Sequence, residues 1–450
     1  MFKNISLSFK IIAFLLITAL LLINSTSIYN ILPKKTKFII KKKFIHTYEN
    51  LSQNNKIALR VFGLDPFKHL QKRYKRTNPQ IENLDNDYNV KFLPKTQNGD
   101  YLLNTLKVDF IKKGDVKKDT GYSFFQPFYL EIFDDKLITI NNDGEILFSS
   151  LNQLFNDKGS NLKTKKIKSN LKTFKIMGTL THNNNIFVSY LDNKNNCQVY
   201  NIASAQINFD NLLFKKVFTS KTCGSNLNAG RMSPYTYNGK NGLLATIGGE
   251  ILNQPTDEPQ NLNSDIGKIL FIDLESNKKM IYSSGHRNPQ GLLVDNNRII
   301  ATEHGPAGGD EINIIKKGKN YGWPISSYGN HYSHIKKQKG KVYLKNHSSN
   351  GFEEPIYSFV PSIGISQIIK VPNDFSNDWQ DNYLLASLNG ASLYRIKFND
   401  AFNGITYLEK IFINRRIRDL KYSNKHKAFI MALEDWQEIG ILKPVLKYQY

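Results

Sequence analysis

The chain has 450 residues, enough for one large domain or for two to three domains of ordinary size. Hydrophobic residues make up 40% of the chain and aromatic residues 12%, which supplies a packed core and excludes wholesale disorder. The formal net charge of +23 indicates either an anionic partner or a lysine-rich compositional bias. Because no RNP-type, zinc-finger or helix-turn-helix signature accompanies that charge, we expect no nucleic-acid partner.

The chain begins with a charged and then apolar segment. Lys3 and Lys10 precede an apolar run over Ile11–Ile23 that only Thr18 interrupts. This pattern predicts either a cleaved signal peptide or an uncleaved membrane anchor within residues 1–29. We therefore expect an exported, periplasmic or extracytoplasmic protein that associates with the membrane through its N-terminus.

Six lysines between residues 34 and 43 stand against this prediction, since the positive-inside rule would place them in the cytoplasm. On an exported domain they would lie against anionic lipid headgroups. We interpret residues 30–119 as a basic linker and an N-terminal embellishment, with short helical or irregular structure from residue 44 to about residue 95.

From about residue 120 the pattern changes to short β-rich runs separated by Asn, Asp and Gly. The run Phe128–Phe133 is followed by an Asp pair, the run Lys136–Ile140, a turn over Asn141–Gly144 and the run Glu145–Phe148. Strands that alternate with such turns predict an antiparallel meander. Similar meanders recur near residues 126–150, 176–204, 229–275, 289–316, 362–398 and 416–444.

Six such units favour an all-β fold, a six-bladed β-propeller over residues 120–450. The repeat is irregular, so the pattern alone also allows a large β-sandwich or two smaller barrels. The two cysteines, Cys197 and Cys223, form no metal-binding CxxC pair; they are either one disulfide of an exported protein or two buried thiols.

Three consecutive motifs carry a family resemblance. They are Gly285–Leu292, Glu303–Asn313 and Gly318–Pro324, followed by Ser327-Tyr328-Gly329. Together they closely resemble the signature of the glucose/sorbosone dehydrogenase family, the soluble quinoprotein glucose dehydrogenases and aldose sugar dehydrogenases. The resemblance extends over residues 120–445, is dense from about 265 to 330, and implies a six-bladed propeller.

The resemblance also implies a cofactor and a reaction. In the family, pyrroloquinoline quinone (PQQ) lies over the central opening of the propeller and accepts a hydride from the C1 hydroxyl carbon of a sugar. Arg287 and Asn288 match the pair beside the quinone, and Arg416 and Arg418 match the arginines that bind its carboxylates. Alternation along a strand would place the last two on one face.

Calcium is the metal that the resemblance implies. Gly305 and Pro306 match the residues whose backbone carbonyls hold the catalytic calcium. Glu311 and Tyr321 match positions that bind a further, structural calcium in some relatives.

The catalytic positions depart from the family pattern. Leu227 stands where the family has its base histidine, and Gly249 stands where it has the aspartate that orients that histidine. Asn389 replaces a cofactor-binding lysine, and the family glutamine has no counterpart near Lys172–Gly178. Side chains that could replace the base are Glu250, His286 and His304.

These departures leave two main functions open. One is a calcium- and quinone-dependent sugar dehydrogenase with a diverged active site. The other is a non-catalytic propeller that binds a carbohydrate or a protein. A third hypothesis, a basic protein of the membrane surface without a pocket, depends on composition alone.

Overall fold

The computed structural model describes residues 96, 101–108, 127–156, 161–195, 197–249, 257–332, 342–435 and 437–444. These residues form twenty-five strands, one α-helix and two short 3-10 helices. The strands are arranged in six sheets, of which the first has five strands and the others have four. The predictions made for residues 1–95, including the N-terminal apolar segment, lie outside the described residues.

The strands are named in chain order. The first half comprises β1 (Tyr101–Lys107), β2 (Phe128–Phe133), β3 (Lys136–Asn141), β4 (Ile146–Ser150), β5 (Lys165–Ser169), β6 (Lys175–His182), β7 (Asn185–Lys194), β8 (Cys197–Gln206), β9 (Asn211–Leu212), β10 (Lys215–Thr219), β11 (Ala229–Tyr237), β12 (Lys240–Ile247), β13 (Lys268–Asp273) and β14 (Lys279–Ser284). The second half comprises β15 (Pro289–Asp295), β16 (Arg298–Glu303), β17 (Asp310–Ile314), β18 (Tyr357–Phe359), β19 (Ile365–Lys370), β20 (Tyr383–Ser387), β21 (Ser392–Phe398), β22 (Ile405–Phe412), β23 (Ile417–Ser423), β24 (Ala428–Leu433) and β25 (Glu438–Pro444). The helix α1 (Leu151–Asn156) follows β4.

One edge strand of each sheet contacts the neighbouring sheets at the centre of the ring. Strands β2, β6, β11, β15, β19 and β23 contact one another in this order, and β23 contacts β2. The ring is therefore closed, and the six sheets are the blades of a β-propeller. This confirms the predicted fold, and each predicted meander lies within one blade.

The hydrophobic core is divided among the blades. Six clusters of buried apolar side chains occur in the described residues, and each packs between two neighbouring sheets. Central strands are buried on both faces, so β24, with the sequence AFIMAL, is buried at every position. Such a strand reads as a continuous apolar run because it has no solvent-facing side.

The sixth blade is completed by a strand from an earlier part of the chain. β1 pairs antiparallel with β25, with Tyr101 opposite Pro444 and Lys107 opposite Glu438. This strand precedes the boundary predicted at residue 120 and lies within the region predicted to be a linker. Its partner is at the other end of the sequence, so no local pattern indicates the pairing.

The described residues contain one disulfide bond. Cys197 and Cys223 are bonded, with their Cα atoms 5.5 Å apart, which decides between the two alternatives left open by the sequence. Within the part of the chain that the structure describes, no helix has the length and apolar character needed to cross a membrane.

The inner strands begin on a common face of the ring. There Pro289 is opposite Glu303, and Ile417 is opposite Leu433, at the end where each blade's second strand finishes. We call this face the mouth and define it by segments 285–288, 303–309, 360–364, 388–391 and 413–416.

Candidate active site at the mouth of the propeller

A turn between β14 and β15 supports the site. Gly285 has a φ of +74°, and a Cβ there would lie 2.0 Å from the Asn320 side chain, so only glycine fits. The next residue, His286, is fully buried, with Nε2 2.8 Å from Ser283 Oγ and Nδ1 3.1 Å from Glu303 Oε2. Both ring nitrogens of His286 are engaged, which makes this histidine a support of the turn rather than a replacement base.

The long connection between β17 and β18 returns to the mouth beside this turn. The backbone N–H of Tyr321 donates to Ser284 O at 2.9 Å, and that of Trp323 donates to Gly285 O at 2.9 Å. The Tyr321 ring stacks on His286, with centroids 4.8 Å apart. This packing accounts for the motif Gly318–Pro324, whose backbone places Trp323 at the mouth.

Arg287 is held rigidly at the mouth and is 3% exposed. Its backbone N–H donates to Glu303 Oε1 at 3.1 Å, and Nη1 donates to the carbonyl of His304 at 2.9 Å. The guanidinium lies over the Trp323 ring, 5.3 Å from its centroid. The buried Nε has no partner among the described residues, so one donor is left for a ligand.

Two further polar atoms beside Arg287, His304 Nε2 and Trp323 Nε1, are buried and have no hydrogen-bond partner among the described residues. Burial lowers the pKa of His304 to about 4, and Arg287 acts in the same direction although Asp310 opposes it. The imidazole is therefore neutral at pH 7. Buried polar atoms in folded proteins nearly always have partners, so three together mark a place for a polar ligand.

Three of the four residues predicted to bind the cofactor, Asn288, Arg416 and Arg418, lie in one hydrogen-bonded chain. Gln290 Nε2 donates to Asn288 Oδ1 at 2.8 Å, and Arg418 Nη1 donates to Gln290 Oε1 at 3.1 Å. Arg418 Nε and Arg416 Nε donate to the two oxygens of Glu434 at 2.6 and 2.8 Å. Arg287 stands next to Asn288 in the turn, so the structure brings all four residues together at the mouth.

Arg231 is buried beside these residues, and the sequence indicates no contact for it. It is 2% exposed and donates to Asp419 Oδ1, Gln290 O and Arg418 O at 2.8, 2.8 and 2.6 Å. These contacts join β11, β15 and β23 across the ring. A lone Gly-Arg pair in the sequence shows none of this, because every partner comes from a distant blade.

The positions matched to the catalytic dyad carry no acid or base. Leu227 is 2% exposed and packs in the cluster between the second and third blades, close to Gly224 and Ile266. The backbone N–H of Gly249 donates to Arg287 O at 2.7 Å, and a Cβ at Gly249 would lie 3.0 Å from Pro259. The first position is thus an apolar core residue, and the second has no side chain. Glu250, predicted as a possible replacement base, lies outside the described residues.

The catalytic calcium fits the carbonyl groups at Gly305 and Pro306. Both residues are buried, and neither carbonyl accepts a hydrogen bond from the residues that the structure describes. Carbonyl oxygens are ligands that calcium accepts. In the described segments no group of three or more His, Cys, Asp or Glu could hold a metal ion, so the protein's contribution would be these backbone oxygens.

The structural calcium predicted at Glu311 and Tyr321 does not fit. The imidazole of His347 lies between the two groups, with Nδ1 3.2 Å from the Tyr321 carbonyl and Nε2 3.5 Å from Glu311 Oε1. Burial raises the pKa of Glu311 well above its usual value, and the neighbouring Glu303 raises it further. A side chain thus stands where the ion would bind.

Comparisons with known proteins identify the family. A family model described as glucose/sorbosone dehydrogenase matches residues 125–443. Aldose sugar dehydrogenase YliI of Escherichia coli (strain K12) is 31% identical over 180 residues, which cover 39% of this chain and 46% of that protein. The match thus spans about half the length of that curated relative.

Two solved structures share the fold. The apo-form of the soluble aldose sugar dehydrogenase from Escherichia coli has a TM-score of 0.59 at 21% identity, over 72% of this chain and 97% of that one. The PQQ-bound form of aldose sugar dehydrogenase from Streptomyces coelicolor has a TM-score of 0.53 at 18% identity, over 76% and 98%. The family match covers most of the chain: this protein belongs to the glucose/sorbosone dehydrogenase family.

Proposed function

We propose that the chain binds PQQ at the mouth and oxidises an aldose at its C1 hydroxyl, at a rate reduced by the loss of the base histidine. The observation that carries this proposal is the hydrogen-bonded chain of Asn288, Arg418 and Arg416. Beside it, at Arg287, three buried polar atoms have no partner among the described residues. The names of two similar proteins support the same assignment: the aldose sugar dehydrogenase of Escherichia coli, and the aldose sugar dehydrogenase of Streptomyces coelicolor in its PQQ-bound form.

The residues suit the cofactor's chemistry. PQQ carries three carboxylates, and arginine guanidinium groups form strong charge-assisted hydrogen bonds with carboxylates. Arg416 and Arg418 would hold them, while Arg287 Nε would donate to the quinone side. The carbonyls of Gly305 and Pro306 would hold a calcium ion. When bound, PQQ supplies the acceptor for the sugar's hydride.

The base position explains why slow oxidation is expected. Leu227 cannot accept a proton, and its side chain is packed in the core. Loss of a general base costs roughly 100- to 10,000-fold in rate. Gly249 cannot orient an imidazole, so restoring a histidine alone would leave it without a partner.

A second function, a non-catalytic propeller that binds a carbohydrate or protein, is supported by two of the same observations. The position matched to the base belongs to an apolar cluster. Glu434 already occupies one edge of both arginines that the cofactor would use. A pocket that has lost catalysis can retain such a scaffold because function depends on the site and not on the fold.

Export is part of the proposal. The Cys197–Cys223 disulfide supports it, because disulfides persist in oxidising compartments and are rare in the cytosol. The apolar N-terminal run would direct the chain there and anchor it.

The first experiment measures PQQ binding to the full chain with and without calcium, followed by dye reduction with a panel of aldoses. We expect calcium-dependent binding, slow dye reduction, and no reduction with the methyl glycoside, whose C1 hydroxyl is blocked. Arg418→Gln should weaken binding, whereas Arg298→Gln, on an exposed strand end, should not. Absence of PQQ binding would refute the proposal, and tight binding without any sugar-dependent turnover would favour the non-catalytic function.

A further inference from the structure

A surface at the outer edge of the first two blades is rich in lysine. Residues 161–174, which contain β5, have five lysines and no acidic residue. Residues 207–219, which contain β9 and β10, have two lysines and a single acidic residue, Asp210. All seven lysine side chains are exposed. We call the exposed residues of these two segments the lysine patch.

The two segments of the lysine patch are joined to each other. Lys168 lies opposite Asn211 in the parallel pairing of β5 with β9. Further along, Asn170 Nδ2 donates to the carbonyl of Phe214 at 3.1 Å, and Asn170 Oδ1 accepts from the N–H of Phe214 at 2.7 Å. Lys215 follows Phe214 directly, so lysines that are far apart in the sequence belong to one surface.

The positive charge of the lysine patch is largely left without local neutralisation. Lys166 pairs with Glu145 at 3.2 Å, and the other six lysines form no ion pair with any residue that the structure describes. Exposed lysines of other blades do pair with carboxylates, as Lys240 does with Asp273 at 3.5 Å. A concentrated excess of one sign attracts a partner of the opposite sign, so the partner of this surface is anionic.

Two large apolar side chains are exposed among these lysines. Leu213 is 61% exposed and Phe174 is 43% exposed. Leu213 stands between β9 and Phe214, both of which are hydrogen-bonded to the β5 segment, so its position within the patch is fixed. Exposed apolar groups gain nothing from a soluble polyanion, whereas a membrane surface offers them the boundary between headgroups and acyl chains.

The type of cation agrees with a lipid surface. Neither segment contains an arginine, the residue whose planar fork recognises single phosphates in a fixed geometry. Lysine is a point charge on a flexible stem, which suits a mobile layer of anionic headgroups.

We propose that the lysine patch binds the surface of an anionic lipid bilayer, with its lysines at the phosphate headgroups and with Leu213 and Phe174 at the start of the acyl region. This contact is independent of the mouth and of the proposed oxidation. It would hold the outer edge of the first two blades against the membrane.

The test places a fluorescent reporter in the patch of the full chain. Leu213→Trp introduces an indole there, and lipids brominated on their acyl chains quench it only where the patch itself touches the bilayer, whether or not the N-terminal apolar run anchors the chain. The matched control is Leu408→Trp on β22, the outer strand of the fifth blade, where Leu408 is 36% exposed. We expect quenching of the first indole, but not of the second, in vesicles of phosphatidylcholine and phosphatidylglycerol in equal parts. Vesicles of phosphatidylcholine alone should quench neither.

The contribution of charge is tested in the Leu213→Trp background. A patch variant carries Lys165→Gln, Lys168→Gln and Lys215→Gln, and a control with the same net charge carries Lys278→Gln, Lys397→Gln and Lys427→Gln on exposed positions of other blades. The patch variant should lower the ratio of quenched to unquenched indole roughly 10- to 100-fold, because each lysine near an anionic surface contributes up to about fivefold. Salt at about 1 M, where the Debye length is about 3 Å, should abolish the quenching.

Three results would overturn the inference. They are equal quenching at positions 213 and 408, quenching that needs no anionic lipid, and an equal effect of the patch variant and its control. If soluble polyphosphate shifts the emission of the indole at position 213 while anionic vesicles leave it unquenched, the partner is a soluble polyanion and the lipid assignment is wrong. The variants should unfold at the wild-type temperature because every changed side chain is exposed. PQQ enters none of these measurements, so their failure leaves the proposed function untouched.

Discussion

Glu434 and Asp435 are neighbours in the sequence at the edge of the mouth, yet the pKa values of their carboxyl groups shift in opposite directions. Burial raises the pKa of Glu434, but Arg418 and Arg416 outweigh it and hold the pKa below its usual value. Burial raises the pKa of Asp435 to about 7, since Arg415 and Arg416 only partly compensate and Glu438 adds to the rise. Asp435 Oδ1 has no partner within the described segments.

The raised pKa of Asp435 predicts a pH dependence of stability. Between pH 4 and 7 the folded chain keeps a proton on Asp435 that the unfolded chain has released, so this residue makes stability fall as the pH rises. We expect Asp435→Asn to remove that contribution and to raise the unfolding temperature at pH 8. The measurement is the unfolding temperature of both proteins from pH 4 to 8. Asp400→Asn, on the exposed surface, is the control. Parallel curves for the wild type and Asp435→Asn would contradict the prediction.

At the scale of elements, β6 and β11 approach each other more closely than side chains allow. A Cβ at Gly178 would lie 2.3 Å from the carbonyl oxygen of Gly230. Gly230 itself has a φ of +104°, and a Cβ there would lie 2.3 Å from Met177 Cβ. Because Arg231 follows Gly230 directly, this close contact sets the position of the arginine that joins β11, β15 and β23.

We therefore expect Gly178→Ala to lower the free energy of unfolding by about 1–3 kcal/mol, the usual cost of overpacking. PQQ binding should weaken with it, since β11 must move and Arg231 moves with it. Urea unfolding and PQQ titration measure the two effects. Gly404→Ala is the matched control, because a Cβ there meets only the end of the Asn399 side chain at 3.3 Å. If Gly178→Ala lowers the free energy of unfolding no more than Gly404→Ala does, the prediction is wrong, and the ring of blades can expand to accommodate the added methyl group.

At the scale of the whole molecule, the sequence predicts those features that depend on neighbouring residues in the chain. The turn at Asn141–Gly144 was predicted, and in the structure the Asn141 side chain accepts hydrogen bonds from the N–H groups of Asp143 and Glu145. Arg287 and Asn288 could be predicted as cofactor-binding residues because one continuous motif carries them. The contacts of Arg231 and His347 could not be predicted, because their partners come from other blades or distant loops, which no spacing in the sequence reveals.

The pairing of β1 with β25 joins strands from distant parts of the chain and completes the sixth blade. β1 covers the edge of β25 and buries Tyr101, Leu103 and Leu106 against the fifth, sixth and first blades. Those three side chains alone are worth roughly 5–9 kcal/mol, a large part of a domain's usual stability. A chain that starts at residue 109 should therefore unfold far below one that starts at residue 96, and it should associate through the exposed edge of β25. Thermal unfolding and light scattering of the two chains test this: equal unfolding temperatures and no association would mean that the propeller closes without β1, and that its stability depends on the contacts between blades alone.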